Sequence, residues 1–421
     1  MKRVVITGLG VVSPVASGVD RFWDNLIAGR SGIGEITLFD ASTFPVRIGG
    51  QVDDLDIDSV LEYFGDIADQ RDRKIPLALA AAVEAISDSG LGDIALCGAS
   101  LQFGVGLEAL FMEDLTPHAK SDDIGRDLAH AVASGRFALD CQSPADRVAD
   151  ILARRYGFSG GRWVNCSACA AGAQVIGEAF DMIRGGECEV ILAGAADSML
   201  NPLGLGGFSL LRVLSNENDS PQSACRPFSG DRKGAVLGEG AGFVMLESLD
   251  AAVARGAKIY AELLGYGSSM DAYRVSDPSP TGRGAVLSMN AALADADLAP
   301  GQIDCVSAHG TGTPQNDIVE TAAIKTVLGA RAREIPVHAV KSMTGHMIAA
   351  SGTVEALTAV LTIARRRVPA TINLRQSDVE CDLDYVPGAS RGFGGSTVMS
   401  NSFGFGGQNA TLIFGRCHNE Q

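Results

Sequence analysis

Asn165-Cys166-Ser167-Ala168-Cys169-Ala170-Ala171-Gly172 joins a short run, Trp163–Asn165, to a stretch that opens on small residues and reaches Ile183. The run predicts a strand, and the Ala/Gly-rich stretch predicts a helix that its neighbours can approach closely, so the chain turns from strand to helix at Cys169. A thiol at that turn faces the positive end of the helix dipole and unpaired backbone N–H groups. Both favour thiolate, and its pKa is expected to be lowered. Two histidines stand in glycine-rich settings further along, in Ala308-His309-Gly310-Thr311-Gly312-Thr313 and Lys341-Ser342-Met343-Thr344-Gly345-His346.

Around that turn, short β-rich runs alternate with alanine-rich stretches, the pattern of an α/β protein. Strands are predicted at Arg3–Thr7, Leu96–Phe103, Trp163–Asn165, Val190–Ala193 and Gly242–Leu246, then at Tyr260–Gly267, Ile303–Ser307, Val337–Ala339, Thr397–Ser400 and Ala410–Phe414. Helices are predicted at Ile75–Asp88, Ala170–Ile183, Leu287–Ala294, Ile318–Leu328 and Val354–Arg365. The two halves run in similar order, which reads as a degenerate duplication of residues 1–250 in 251–421. Residues from about 108 to 161 read as an irregular, charged insertion covering the first half.

With 421 residues, 46% of them apolar, the chain can build two cores or one large fused one. No apolar run is long enough to span a membrane, and the N-terminus lacks a cleavage pattern, so a cytoplasmic protein is expected. Nine cysteines lie scattered without framework spacing. Cys166 and Cys169 make a C-x-x-C pair, but no further ligands lie nearby, and no metal is expected. A net charge of −16 disfavours nucleic acid and anionic membranes. A nucleotide role for Gly8-Leu9-Gly10 fails, because no G-x-G-x-x-G fingerprint or phosphate-loop lysine follows.

The chain resembles the β-ketoacyl-ACP synthases, in the elongating branch of synthase II and the type II polyketide ketosynthases. The resemblance runs from Val4-Val5-Ile6-Thr7-Gly8-Leu9-Gly10 through the Cys169 motif, Arg226-Pro227-Phe228 and Gly238-Glu239-Gly240-Ala241-Gly242. It ends at Asn401-Ser402-Phe403-Gly404-Phe405-Gly406-Gly407. It implies the thiolase-like five-layer αβαβα fold, built as two pseudo-duplicated halves, and a homodimer or a heterodimer with a related subunit. Cys169 then matches the nucleophile, and His309 and His346 match the two catalytic histidines. Lys341 and Glu355 match the lysine and carboxylate of the same network. Phe405 matches the gate whose N–H completes an oxyanion hole with that of Cys169, and Phe403 shares its loop. Thr311 and Thr313 match the threonines that hold the phosphopantetheine arm. That arm arrives on acyl carrier protein, so no cofactor of the enzyme's own is expected.

Such chemistry needs these residue types. Acyl transfer needs a nucleophile that is also a good leaving group, which a thiolate supplies. Decarboxylation of a malonyl thioester builds charge on the thioester oxygen, which two Nε2–H donors on neutral imidazoles can stabilise. Condensation builds charge beside Cys169, where paired backbone donors would meet it. A lone His is more often structural, and His118, His130, His338 and His418 are left on that side.

Three rivals share the fold. Thiolases need a second cysteine as base, but here the C-terminal loop carries Phe403 and Phe405, and Cys417 lies in a polar tail. Starter-type condensing enzymes pair Cys and His with Asn, whereas this chain offers a second His. A non-catalytic chain-length subunit lacks the nucleophile, and Cys169, His309, Lys341 and His346 together argue against it.

Three features depart from synthase II: a charged helix expected over 140–155, Gln408 where Thr is common, and the extra Cys166. They tilt the reading slightly from fatty acid elongation towards a specialised polyketide or polyene pathway. Val105 matches the position where bulk limits chain length, and its size predicts acceptance of medium or long chains. An acidic carrier would meet global repulsion, so a local basic patch of Arg71, Arg73, Lys74 and Arg212 is the candidate docking surface. The alternative is that these are ordinary solvated charges.

Overall fold

A computed structural model describes residues 1–65, 67, 71–92, 96, 98–106, 111–135 and 144–417. Ten strands form one continuous sheet: β1 (Val4–Val12), β2 (Ser100–Val105), β3 (Arg162–Asn165), β4 (Val190–Ser198), β5 (Glu239–Ser248), β6 (Ala261–Met270), β7 (Cys305–Ser307), β8 (Val337–His338), β9 (Thr397–Phe403) and β10 (Gln408–Gly415). Their spatial order is β8-β7-β9-β10-β6-β1-β5-β4-β2-β3. Numbered within each half, the order from either edge inward is third, second, fourth, fifth, first. Directions match as well: the three outermost strands of each half are parallel, while the fifth pairs antiparallel to both neighbours. The halves meet where β1 pairs antiparallel with β6, Val4 opposite Leu263.

Five helices complete the layers: α1 (Lys74–Ser89), α2 (Ala171–Gly185), α3 (Arg283–Asp295), α4 (Pro314–Leu328) and α5 (Ala349–Arg365). α2 and α5 pack on each other and on strands of both halves, so they form the central layer. Every residue of α5 from Ala349 to Ile363 is buried, as expected of a helix with no solvent face. α1 covers the outer face of the first half, and α3, backed by α4, covers that of the second. Three large apolar cores fill these interfaces, one around α2 and α5 and one under each outer face. The α2–α5 crossing is close enough that a Cβ on Gly172 would lie 2.5 Å from the Ala349 carbonyl oxygen. That contact explains the small residues after Cys169 and brings the N-termini of the two helices together.

Several expectations shift. Strand Leu96–Phe103 is displaced to Ser100–Val105, and Cys97 lies outside the described residues. The stretch read as an irregular insertion contains helices at Met112–Leu115, Ile124–Ala133 and Arg147–Tyr156, with residues 107–110 and 136–143 outside the described set. The charged helix expected over 140–155 is the last of these, starting at Arg147 and stopped by Gly157 in the left-handed conformation.

Candidate active site

Ala168, at φ 52°, makes the sharp bend between β3 and α2. A short 3₁₀ turn, Ala168–Ala170, then lifts Cys169 to the start of the helix. Asn165 fixes the bend by accepting the Ser167 N–H at 2.9 Å and donating to Gln174 and Glu178 on α2. Cys169 is buried, and its Sγ lies 3.2 Å from His346 Nε2. The backbone N–H groups of Phe405 and of Cys169 itself point at the sulfur. A lowered pKa was expected here, and the structure reverses that expectation. Burial pushes the thiol up to about 11, against the downward pull of those N–H groups and of Lys341. The enclosed site therefore stores a thiol.

His346 Nδ1 faces Ser351 Oγ at 3.0 Å, and that oxygen accepts the Met347 N–H at 2.9 Å. With the serine hydroxyl donating to Nδ1, the ring carries its proton on Nε2, towards the sulfur. His309 reaches the same tautomer by another route. Lys341 Nζ lies 3.2 Å from His309 Nδ1 and 2.7 Å from the His309 carbonyl oxygen, and it also pairs with Glu355 Oε1. An ammonium only donates, so Nδ1 accepts and the proton stays on Nε2. The two rings stand edge to face with centroids 5.3 Å apart. Burial first, then Lys341, holds both pKa values well below 6.5, so both imidazoles are neutral. Two neutral N–H donors beside one sulfur can stabilise an oxyanion or enolate.

Three carboxylates missed in the sequence hold these loops. Glu320 on α4 accepts the backbone N–H groups of His309 and Gly310, each at 2.8 Å. Asp317, one turn earlier, accepts those of Gly312 at 3.2 Å and Phe228 at 2.8 Å. Asp197, at the end of β4, accepts the Ala349 N–H that opens α5. Next to it Ile348, β-branched and at φ 45°, is strained by about 1–3 kcal/mol. Burial pushes Glu320, Glu355 and Asp197 up to about 7. The legible signal for two of them was Asp317-x-x-Glu320 just after Pro314, on one helical face of the first two turns.

A cleft of about 740 Å³, its open mouth included, leads down to Cys169, His309 and His346, past Thr311, Thr313, Phe403 and Phe405. The two threonine hydroxyls hydrogen-bond each other at 2.9 Å. Asp271 lines the mouth and ties down the loop that carries Phe403 and Phe405: it accepts from Asn409 Nδ2 at 2.9 Å, while its own N–H donates to the Gly407 carbonyl. Val105 does not line this cleft. It ends β2 within the outer core of the first half.

The proposed basic patch is largely spent elsewhere. Lys74 is buried against Asp72, and Arg73 makes a bidentate pair with the fully buried Glu239. Arg71 pairs with Asp114 and lies over the Phe111 ring. Arg212 remains exposed. Cys166 is exposed, and no cluster of three potential metal ligands occurs among the described residues. No helix among them is long and apolar enough to cross a membrane.

The chain matches the β-ketoacyl synthase N-terminal domain over residues 1–252 and the C-terminal domain over 260–375. It is 42% identical over 416 residues to 3-oxoacyl-[acyl-carrier-protein] synthase 2 of Synechocystis sp., covering 98% of each chain. The same-named protein of Coxiella burnetii is 40% identical over 425 residues, covering 99% of each. Among solved structures, the ishigamide ketosynthase/chain length factor superposes with a TM-score of 0.87 at 35% identity, over 99% of this chain and 100% of that one. A type II polyketide ketosynthase in complex with its acyl-carrier protein gives 0.84 at 34%, with the same coverage. A thiol and two neutral imidazoles at one helix crossing, on a chain matched through both halves in order, make this protein a member of the β-ketoacyl synthase family.

Proposed function

We propose that the protein catalyses the decarboxylative Claisen condensation of an acyl group, held as a thioester on Cys169, with a malonyl group presented by acyl carrier protein. The observation that carries this reading is Cys169 Sγ at 3.2 Å from His346 Nε2, at the foot of a cleft that His309 also lines. Sulfur attacks the incoming acyl thioester, and the proton it gives up leaves on the carrier's thiol, so charge balances. The malonyl C–C bond then breaks, carbon dioxide departs, and the electron pair becomes an enolate facing the two Nε2–H donors. Its carbon attacks the Cys169 thioester. The resulting oxyanion meets the Cys169 and Phe405 N–H groups, and sulfur leaves. Lys341 and Glu355 hold His309 in the donating tautomer, and Thr311 and Thr313 receive the arm that the carrier brings. No cofactor of the enzyme's own is needed.

The curated relatives at 36–42% identity carry the name 3-oxoacyl-[acyl-carrier-protein] synthase 2, a type II polyketide ketosynthase stands at 34%, and the ishigamide ketosynthase/chain length factor at 35%. The proposal therefore covers β-ketoacyl formation in fatty acid or polyketide assembly, in the cytoplasm, with a second copy or a related subunit as dimer partner. Retention of the thiol opposes the chain-length-subunit reading. The test is carbon dioxide release and β-ketoacyl product formation from malonyl-carrier plus an acyl thioester. His309→Ala and His346→Ala should each slow carbon dioxide release by about 10²–10³-fold, the usual cost of one oxyanion donor. Unchanged release in both would refute the donor role.

A further inference from the structure

Asn316 is 8% exposed and lines the cleft, yet half of its amide is idle. Its Nδ2 donates to Asp317 Oδ1 at 3.2 Å. That oxygen also accepts the Gly312 N–H, while Asp317 Oδ2 accepts the Phe228 N–H and faces Arg232. Both carboxylate oxygens thus act as acceptors, which fixes the way the Asn316 amide is turned. Nothing among the described residues donates to Asn316 Oδ1. A nearly buried acceptor held firmly in a cleft wall needs a donor, from water or from a ligand.

The backbone beside it has the complementary need. Asn316 stands in the first turn of α4, whose N-cap residue Thr313 bonds its hydroxyl to that of Thr311 and makes no capping bond. The N–H groups of Gln315 and Asn316 therefore have no partner among the described residues. Thr313, Gln315 and Asn316 all line the cleft, so the helix opens into it. This segment climbs from the foot of the cleft to its mouth: His309 is 2% exposed, Thr311 6%, Thr313 half-buried and Gln315 exposed. Asn316 belongs to the outer part of that climb.

We propose that Asn316 binds the outer of the two secondary amides of the phosphopantetheine arm. Its Oδ1 accepts that amide's N–H, and the free N–H groups at the start of α4 meet the amide's carbonyl. The donor and acceptor inventory selects this group. One acceptor beside backbone donors is the complement of a secondary amide, which offers one N–H and one C=O. A phosphate or carboxylate would satisfy the helix N–H groups but set a negative oxygen against Asn316 Oδ1. The inner amide, nearer the reacting sulfur, lies deeper in the cleft, and Asn316 does not hold it. Because Asp317 fixes the Asn316 amide before the arm enters, little ordering is left to do on binding.

The proposal rests on the reading that this cleft takes the arm, and binding can be read without catalysis. S-methyl pantetheine should protect Cys169 from iodoacetamide, and Asn316→Ala should raise the concentration that halves alkylation about tenfold, the loss of one well-made hydrogen bond. S-methyl-N-acetylcysteamine, which has only the inner amide, should protect both proteins equally. In turnover, KM for malonyl-pantetheine should rise by the same factor with kcat unchanged, since the contact holds the arm alike before and during reaction. A pantetheine analogue with an ester oxygen in place of the outer N–H should bind the wild type about tenfold more weakly, a test that needs no variant to fold. Asn316→Ala should bind that analogue no worse than the amide. Equal protection of both proteins by S-methyl pantetheine would overturn the proposal. So would an equal loss with S-methyl-N-acetylcysteamine, the sign that Asp317 and its loops have shifted. The expected protection without any condensation would instead refute the condensation reading and leave Asn316 its arm.

Discussion

Cys169, His309 and His346 were legible as candidates because each stands in a distinctive run of Gly, Ala and Thr where backbone meets ligand. Their protonation states were not legible, since those depend on burial and on partners distant in sequence. The helix terminus alone argued for thiolate, yet desolvation outweighs it and raises the thiol to about 11. Alkylation of Cys169 by iodoacetamide should accordingly keep accelerating from pH 9 towards 11, where an ordinary thiol would already have levelled off. A plateau below pH 9 would show a stabilised thiolate. Both imidazoles are held neutral, so any fall in carbon dioxide release as pH drops below about 7 should come from protonation of Glu320 and Glu355 and not from the rings, and an acid-side loss that persists in Glu320→Gln and Glu355→Gln would contradict that assignment. Ser351→Ala frees the His346 tautomer and should slow the reaction by about tenfold, read as kcat for decarboxylation. Ser351, Glu320 and Asp197 escaped a reading of motifs because what they hold is backbone or a ring edge, a job many sequences can do.

At the scale of elements, α5 and the strands were found by their apolar runs, and their ends were missed where glycine interrupts the pattern. β1 was read as ending at Thr7, before Gly8-Leu9-Gly10, but it continues to Val12. Cβ atoms on Gly8 and Gly10 would meet the Ala85 and Ala81 carbonyl oxygens of α1 at 2.2 and 2.0 Å, so the glycines let that helix lie on the sheet. The α2–α5 crossing obeys the same rule. Gly172→Ala should destabilise the fold by about 1–3 kcal/mol, measured by denaturant titration, because the Ala349 backbone leaves the methyl no room. A variant as stable as the parent would mean that the helices can separate freely there.

For the whole molecule, the duplication suspected from the order of elements is visible in a strand order that reads the same from both edges. The docking surface was the weakest inference, because a count of basic residues cannot tell a solvated arginine from one paired with a buried carboxylate. Of the four candidates, Lys74 and Arg73 are occupied internally and exposed Arg71 pairs with Asp114, so exposed Arg212 is the first to test for helping an acidic carrier approach a chain of net charge −16. Arg212→Glu should raise KM for carrier-bound substrates and leave acyl transfer from a small soluble thioester unchanged, and equal effects on both would point to the cleft. The account as a whole depends on where the acyl group resides, which intact-protein mass spectrometry with peptide mapping reads directly after incubation with an acyl-carrier thioester. It predicts one acyl adduct, on the peptide containing Cys169, that disappears when malonyl-carrier is added and never forms in Cys169→Ala. An adduct on Cys166, or condensation by Cys169→Ala without any adduct, would contradict it.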